Sequence, residues 1–122
     1  MAGATLVDTS VWADHVVKPV KELNALLEAD DAVLTHPFIF GELYIGRFKG
    51  QNEVLANLAT LTAAVMADES EVLQLVGHYR LRGAGLSWID CHLLASAKLS
   101  KANLLTHDLA MKQAWARMKP PR

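Results

Sequence analysis

Short apolar runs alternate along this chain with stretches whose apolar residues recur three or four positions apart. Ala4-Thr5-Leu6-Val7, Ala32-Val33-Leu34, Val65-Met66-Ala67 and Asn103-Leu104-Leu105-Thr106 have the length and near-continuous apolarity of strands covered on both faces. The intervening stretches read as helices. The first runs from Ser10 to about Val17. Pro19 opens the second, with Val20, Leu23, Leu26 and Leu27 on one face and Asp30-Asp31 at its end. Thr35-His36-Pro37 is a start signal for a third, running from Phe38 to about Phe48. A fourth spans Glu53 to Ala64. Asp68-Glu69-Ser70-Glu71 opens a fifth, striped by Val72, Leu75, Val76 and Tyr79 and broken at Gly83-Ala84-Gly85. Ser87 caps a sixth through Leu99, and Asp108 begins a last one that fades into Lys119-Pro120-Pro121-Arg122. Strands alternating with helices predict a mainly parallel sheet with helices on both faces, a three-layer α/β/α sandwich.

Composition adds limits rather than chemistry. The 122 residues suit a single domain, 1–122, that buries roughly two-thirds of its unfolded surface. No apolar run is long enough for a membrane span and no secretory signal pattern opens the chain. One cysteine, Cys91, forms no internal disulfide, which fits a cytoplasmic protein. The net charge of −1 hides an asymmetry: residues 1–42 hold seven acids and two lysines, whereas 98–122 hold six basic residues and the single acid Asp108. If Asp8, Glu42, Asp90 and Asp108 are committed to a cation, 12 basic residues face 9 acids (13 minus 4) on the rest of the chain. A mildly basic surface around such a pocket suits a polyanion.

Those four acids carry the functional reading, although each has a duller role open to it. Asp8 and Asp108 end strands and precede helices, where an acid commonly caps. Asp90 stands three places after Ser87, the spacing of a capping box. Glu42 shares a helical face with Phe38 and Ile45, where a carboxylate either snorkels to water or finds a partner. Taken together they say more. A doubly wound topology sets the ends of the first and last strands side by side, and the other two acids enter from helices facing that crevice. Two like charges 4 Å apart repel by about 4 kcal/mol at an effective dielectric near 20. A gathered set therefore needs protons or a cation, and all-oxygen donors select a hard one, Mg²⁺ or Mn²⁺.

Leu6-Val7-Asp8-Thr9-Ser10, Gly41-Glu42, Gly85-Leu86-Ser87-Trp88-Ile89-Asp90 with Leu94-Ala95-Ala97, and Leu104-Leu105-Thr106-His107-Asp108 resemble the four signature segments of PIN-domain ribonucleases. Length and the Asp-Thr-Ser-Val-Trp opening are similar to VapC-type toxins of toxin–antitoxin pairs. The resemblance implies a sheet of order 3-2-1-4-5, Mg²⁺-dependent RNA cleavage leaving 5′-phosphate and 3′-hydroxyl ends, a homodimer and an inhibitory antitoxin. On that footing Asp8 and Asp90 are the main metal ligands, Asp108 and Glu42 complete the set, and Thr9, Ser10 and Thr106 orient the carboxylates. Arg47, Arg82, Lys98, Lys101 and Lys112 are candidates for phosphate contacts, and Trp12, Phe40 and Tyr44 for antitoxin or dimer contacts. Two departures stand out: Leu109-Ala110-Met111 occupies a place where relatives carry a further acid or aromatic, and the usual fifth strand is missing or degraded after Met118.

Other classes fare worse. A binding module, either an inactive PIN-like domain or a receiver-like signalling domain with Asp68 as phospho-acceptor, is the alternative. His15, His36, His78, His92 and His107 lack metal-ligand spacing, and there is neither a glycine-rich phosphate loop nor a serine nucleophile elbow.

Overall fold

A computed structural model describes residues 3–29 and 32–119. Its centre is β1 (Thr5–Val7), three buried residues paired in parallel on both sides. On one side lies β2 (Val33–Thr35), with Leu6 opposite Leu34, and beyond it β3 (Thr62–Ala63). On the other lies β4 (Asn103–Leu105), with Leu6 opposite Leu104 and Val7 opposite Leu105. The order is β3-β2-β1-β4. The chain thus winds outward from β1 in one direction and returns to its other side, which leaves a crevice beyond the ends of β1 and β4.

Among the described residues seven helices cover the faces: α1 (Thr9–Val17), α2 (Lys21–Glu28), α3 (Pro37–Ile45), α4 (Gln51–Ala59), α5 (Glu69–His78), α6 (Trp88–Leu99) and α7 (Leu109–Met118). Every residue of α6 from Cys91 to Ala97 is buried, as a helix apolar on nearly all sides must be. It packs on β1 and β4 and against α5 and α7. α1 packs on α3, and α3 on α4. Leu6, Val11, Leu23, Ile39, Leu58, Val72, Leu93, Leu94 and Met111 form the sealed part of the core.

Several boundaries differ from the sequence pattern. The third strand lies at Thr62–Ala63, not at Val65-Met66-Ala67. Ala64 N–H donates to Thr35 O at 2.7 Å, after which Val65 N–H turns away to Ser100 Oγ at 2.8 Å and Val65 and Met66 stand half exposed. α4 stops at Ala59, where the Thr60 hydroxyl takes Asn57 O at 2.7 Å, and so does not reach Ala64. α3 ends at Ile45 rather than near Phe48, because the Gln51 side-chain amide donates to the carbonyls of Leu43, Tyr44 and Gly46 at 2.9, 3.1 and 2.6 Å. One side chain from the next helix thereby satisfies carbonyls that a helix end leaves open. Pro19 falls just outside α2, whose entry is closed by His15 Nδ1 accepting the Val20 N–H at 2.9 Å. Asp30-Asp31 and Pro120-Pro121-Arg122, read from sequence as a helix end and a fading tail, lie outside the described residues. Among the described residues the sheet has four strands and no fifth.

Candidate active site

The crevice is built by the junctions β1–α1 and β4–α7. Asp8 occupies the N-cap position of α1, yet its side chain makes no cap hydrogen bond. It is 5% exposed, and its Oδ2 accepts from Ser10 Oγ at 2.7 Å and from Thr106 Oγ1 at 2.8 Å. Hydroxyl bonds to a carboxylate at such lengths are charge-assisted and stronger than neutral ones. The simple capping role open to Asp8 is therefore not the one it plays. Both hydroxyls also reach the far junction: Ser10 Oγ accepts from His107 N–H at 3.0 Å, and Thr106 Oγ1 accepts from Asp108 N–H at 3.1 Å. At the rim His107 Nδ1 is paired with Asp14 of α1, a second tie between the two junctions.

The other acids are each anchored by one oxygen. Glu42 Oε1 takes the Thr9 hydroxyl at 2.7 Å, which links α3 to the start of α1. Asp90 Oδ2 accepts from Ser87 N–H at 2.9 Å while Ser87 Oγ accepts from Asp90 N–H, a complete capping box. Asp108 Oδ1 caps α7 through Met111 N–H at 2.9 Å. Among the described residues no hydrogen bond reaches Asp8 Oδ1, Glu42 Oε2, Asp90 Oδ1 or Asp108 Oδ2. Each carboxylate is thus fixed by one oxygen and offers the other.

The structure ties Asp8 to Asp108 through Thr106, and Glu42 to the residue beside Asp8. Asp90 joins them only by neighbourhood: a Cβ added to Gly85, ahead of α6, would meet the Ala110 Cβ in the first turn of α7 at 3.7 Å. Among the described residues no three Asp, Glu, His or Cys side chains close into a metal cage. A hard, strongly hydrated cation is often held by only one or two carboxylates plus water and substrate phosphate oxygens. The all-oxygen donor set fits such an ion. The N-termini of α1, α6 and α7 carry Asp8, Asp90 and Asp108, where the helix dipoles favour a carboxylate's charge.

Other candidates separate clearly. Lys112 lies on α7 beside this crevice, whereas Lys98 and Lys101 stand at the far end of α6 and the entry to β4, and Lys98 sits over the Tyr79 ring at 5.3 Å. Arg47 lines a separate groove with Tyr44 and Gln51, and Arg82 is exposed in the loop before α6. Trp12 is only 4% exposed and belongs to the core, which removes it from the surface contacts read from sequence. Tyr44, 64% exposed, stacks on half-buried Phe40 at 6.1 Å. Asp68 caps α5, beyond a strand that β2 separates from β1, so a receiver's acidic cluster is not assembled.

Sequence reasoning missed a histidine–aromatic cluster flanking the crevice. His36 caps α3, its Nδ1 accepting Phe38 N–H at 3.0 Å, and its ring contacts Phe38, which meets His92, which meets Trp88. Among the described residues His36 Nε2 and His92 Nδ1 are buried without partners. Burial, and then the charge of His92, lower the His36 pKa to about 4, so this ring is neutral near pH 7. The Cys91 thiol is pushed up by burial and then by the Asp90 charge, which keeps it protonated and unreactive.

The chain matches the PIN domain family over residues 5–115. It is 42% identical over 112 residues to ribonuclease VapC32 of Mycobacterium tuberculosis, in two strains, covering 91% of this chain and 90% of the relative. Its fold is similar to the crystal structure of PAE2754 from Pyrobaculum aerophilum, with a TM-score of 0.66 at 18% identity, covering 93% of this chain and 87% of that one.

Proposed function

Since the chain belongs to the PIN-domain family, among VapC-type ribonucleases, we propose that it is a Mg²⁺-dependent endoribonuclease whose acids are Asp8, Glu42, Asp90 and Asp108. The observation that carries the reading is the buried Asp8 carboxylate, held by hydroxyls from two junctions and left with one free oxygen. Asp8 and Asp90 would be the main holders of Mg²⁺ or Mn²⁺, with Asp108 and Glu42 completing the set. When bound, the ion supplies charge neutralisation at the phosphodiester and a water able to attack near neutral pH.

The chain's own residues supply position. Ser10 and Thr106 fix the rotamer of Asp8, and Thr9 fixes that of Glu42, so both carboxylates are oriented before substrate arrives. The N-termini of α1 and α7 point partial positive charge at the place a phosphate would occupy. Attack opposite the ribose 3′ oxygen leaves a 5′-phosphate and a 3′-hydroxyl. The domain acts in the cytoplasm as a homodimer, and a cognate antitoxin protein neutralises it at the apolar face carrying Phe40 and Tyr44.

Purified protein incubated with total RNA, with and without Mg²⁺, and mapping of the cut ends test this reading. Cleavage that needs the ion and disappears in Asp8→Asn supports it. Equal cleavage in EDTA, or full activity in Asp8→Asn, removes the metal-site assignment.

A further inference from the structure

β4 is the outer strand of the sheet, and its hydrogen bonds show which of its peptide groups look outward. Asn103 N–H donates to Ala4 O and Leu105 O accepts from Asp8 N–H, so both residues turn their peptide groups to β1. Alternation along the strand then turns the Leu104 N–H and C=O away from the sheet, and among the described residues nothing pairs with them. Alongside runs a groove of about 240 Å³ between this edge and α7. That is below the usual volume of a drug-sized pocket, roughly 300–1,000 Å³, and right for a single base. Lys112, Trp115 and Lys119 line it from one face of α7, and among the described residues no acidic side chain does. Seven residues of helix separate the lysines by about 10 Å, with the half-buried indole between them. At its upper end the groove is lined by Thr106, the residue that holds Asp8.

We propose that this groove is a nucleotide subsite for single-stranded RNA entering or leaving the candidate active site. Trp115 stacks on one base next to the cut, Lys112 and Lys119 hold its flanking phosphates, and the outward Leu104 peptide offers one donor and one acceptor to the base edge. Stacking on an aromatic between cations is the usual way a single strand is held, and an exposed backbone edge adds base preference. The inference rests on the RNA substrate proposed above, but its test does not require cleavage.

Binding of a fluorescein-labelled twelve-nucleotide single-stranded RNA is measured in EDTA by anisotropy across a salt series, using the full chain. Lys112→Ala/Lys119→Ala, both exposed positions, should flatten the log K against log salt slope by about 1.4, two phosphates' worth. Trp115→Leu should weaken binding about tenfold or more, and Trp115→Tyr, which keeps a ring, should restore most of it. In Mg²⁺ the loss falls on KM, and the preferred base at the cut changes. A wild-type slope in the double variant, with wild-type affinity in Trp115→Leu, overturns the subsite. So do variants that alter the oligomeric state, or binding of an acidic peptide, while RNA affinity stays unchanged. RNA that binds through these residues yet is never cut keeps the subsite and removes the nuclease reading instead.

Discussion

Acid should destabilise this protein through His36. The ring's Nδ1 accepts the Phe38 N–H, so its proton sits on Nε2, in a buried position without an acceptor. A second proton would have to go on Nδ1, opposing that N–H and adding positive charge at the positive end of α3. Geometry and the lowered pKa of about 4 agree. The unfolded chain binds this proton with a pKa near 6.5, so stability is complete above that value and falls as pH drops toward 4. Linkage gives a loss of about 2 kcal/mol between pH 7 and pH 5, rising to about 3 kcal/mol at pH 4. Such a loss is a large share of the typical 5–15 kcal/mol of a whole domain. Urea unfolding at pH 7, 6 and 5 measures it. His36→Asn keeps a side-chain oxygen for the cap but cannot titrate, so its stability should decline by about 2 kcal/mol less than that of the parent over the same interval. The comparison is of slopes, because losing the ring's contact with Phe38 lowers the variant at every pH. Parallel declines in the two proteins would refute the reasoning.

Three further outcomes are expected. Thr106→Val keeps the shape but removes the hydroxyl from Asp8 Oδ2 and from the Asp108 N–H; it should cost about 1.5–3 kcal/mol in urea unfolding and lower RNA cleavage about 10- to 100-fold. Mg²⁺ or Mn²⁺ at a hundredfold excess over its dissociation constant should stabilise the wild-type fold by about 2.7 kcal/mol, seen as a higher Tm, and should leave Asp8→Asn unmoved. Gln51→Ala strips the donor from three carbonyls at the end of α3 and should cost about 1 kcal/mol, with faster hydrogen exchange confined to that turn.

What could be read without coordinates was whatever local chemistry announces. Buried β1 and half-buried β4 are short apolar runs, and Asp68, Ser87 and Asp108 announce the starts of α5, α6 and α7 because capping needs only residues three apart. Features set by distant partners were not legible. β3 has two exposed residues and thus no apolar signature, while Val65-Met66 looks like a strand and lies in an irregular connection. α3 is shortened by a glutamine from another helix, and nothing in Phe38–Phe48 foretells it. In the candidate site, the four acids are proposed from residue type and place, but the hydroxyl bridge from Asp8 to Thr106 needs the strand order. The buried histidines escaped for the same reason: His36 and His92 lie far apart in sequence, and their unpaired nitrogens appear only once α3 and α6 are packed.

That bridge also sets a timetable. Of the two hydroxyls that steady Asp8, that of Ser10 follows at once and that of Thr106 comes 98 positions later. At ordinary translation speeds the gap is roughly 5–20 s, during which a nascent chain carries the carboxylate with only one of its two hydroxyl partners. Fragments cut short before β4 leave the pocket half made, so its assembly waits on the last strand described.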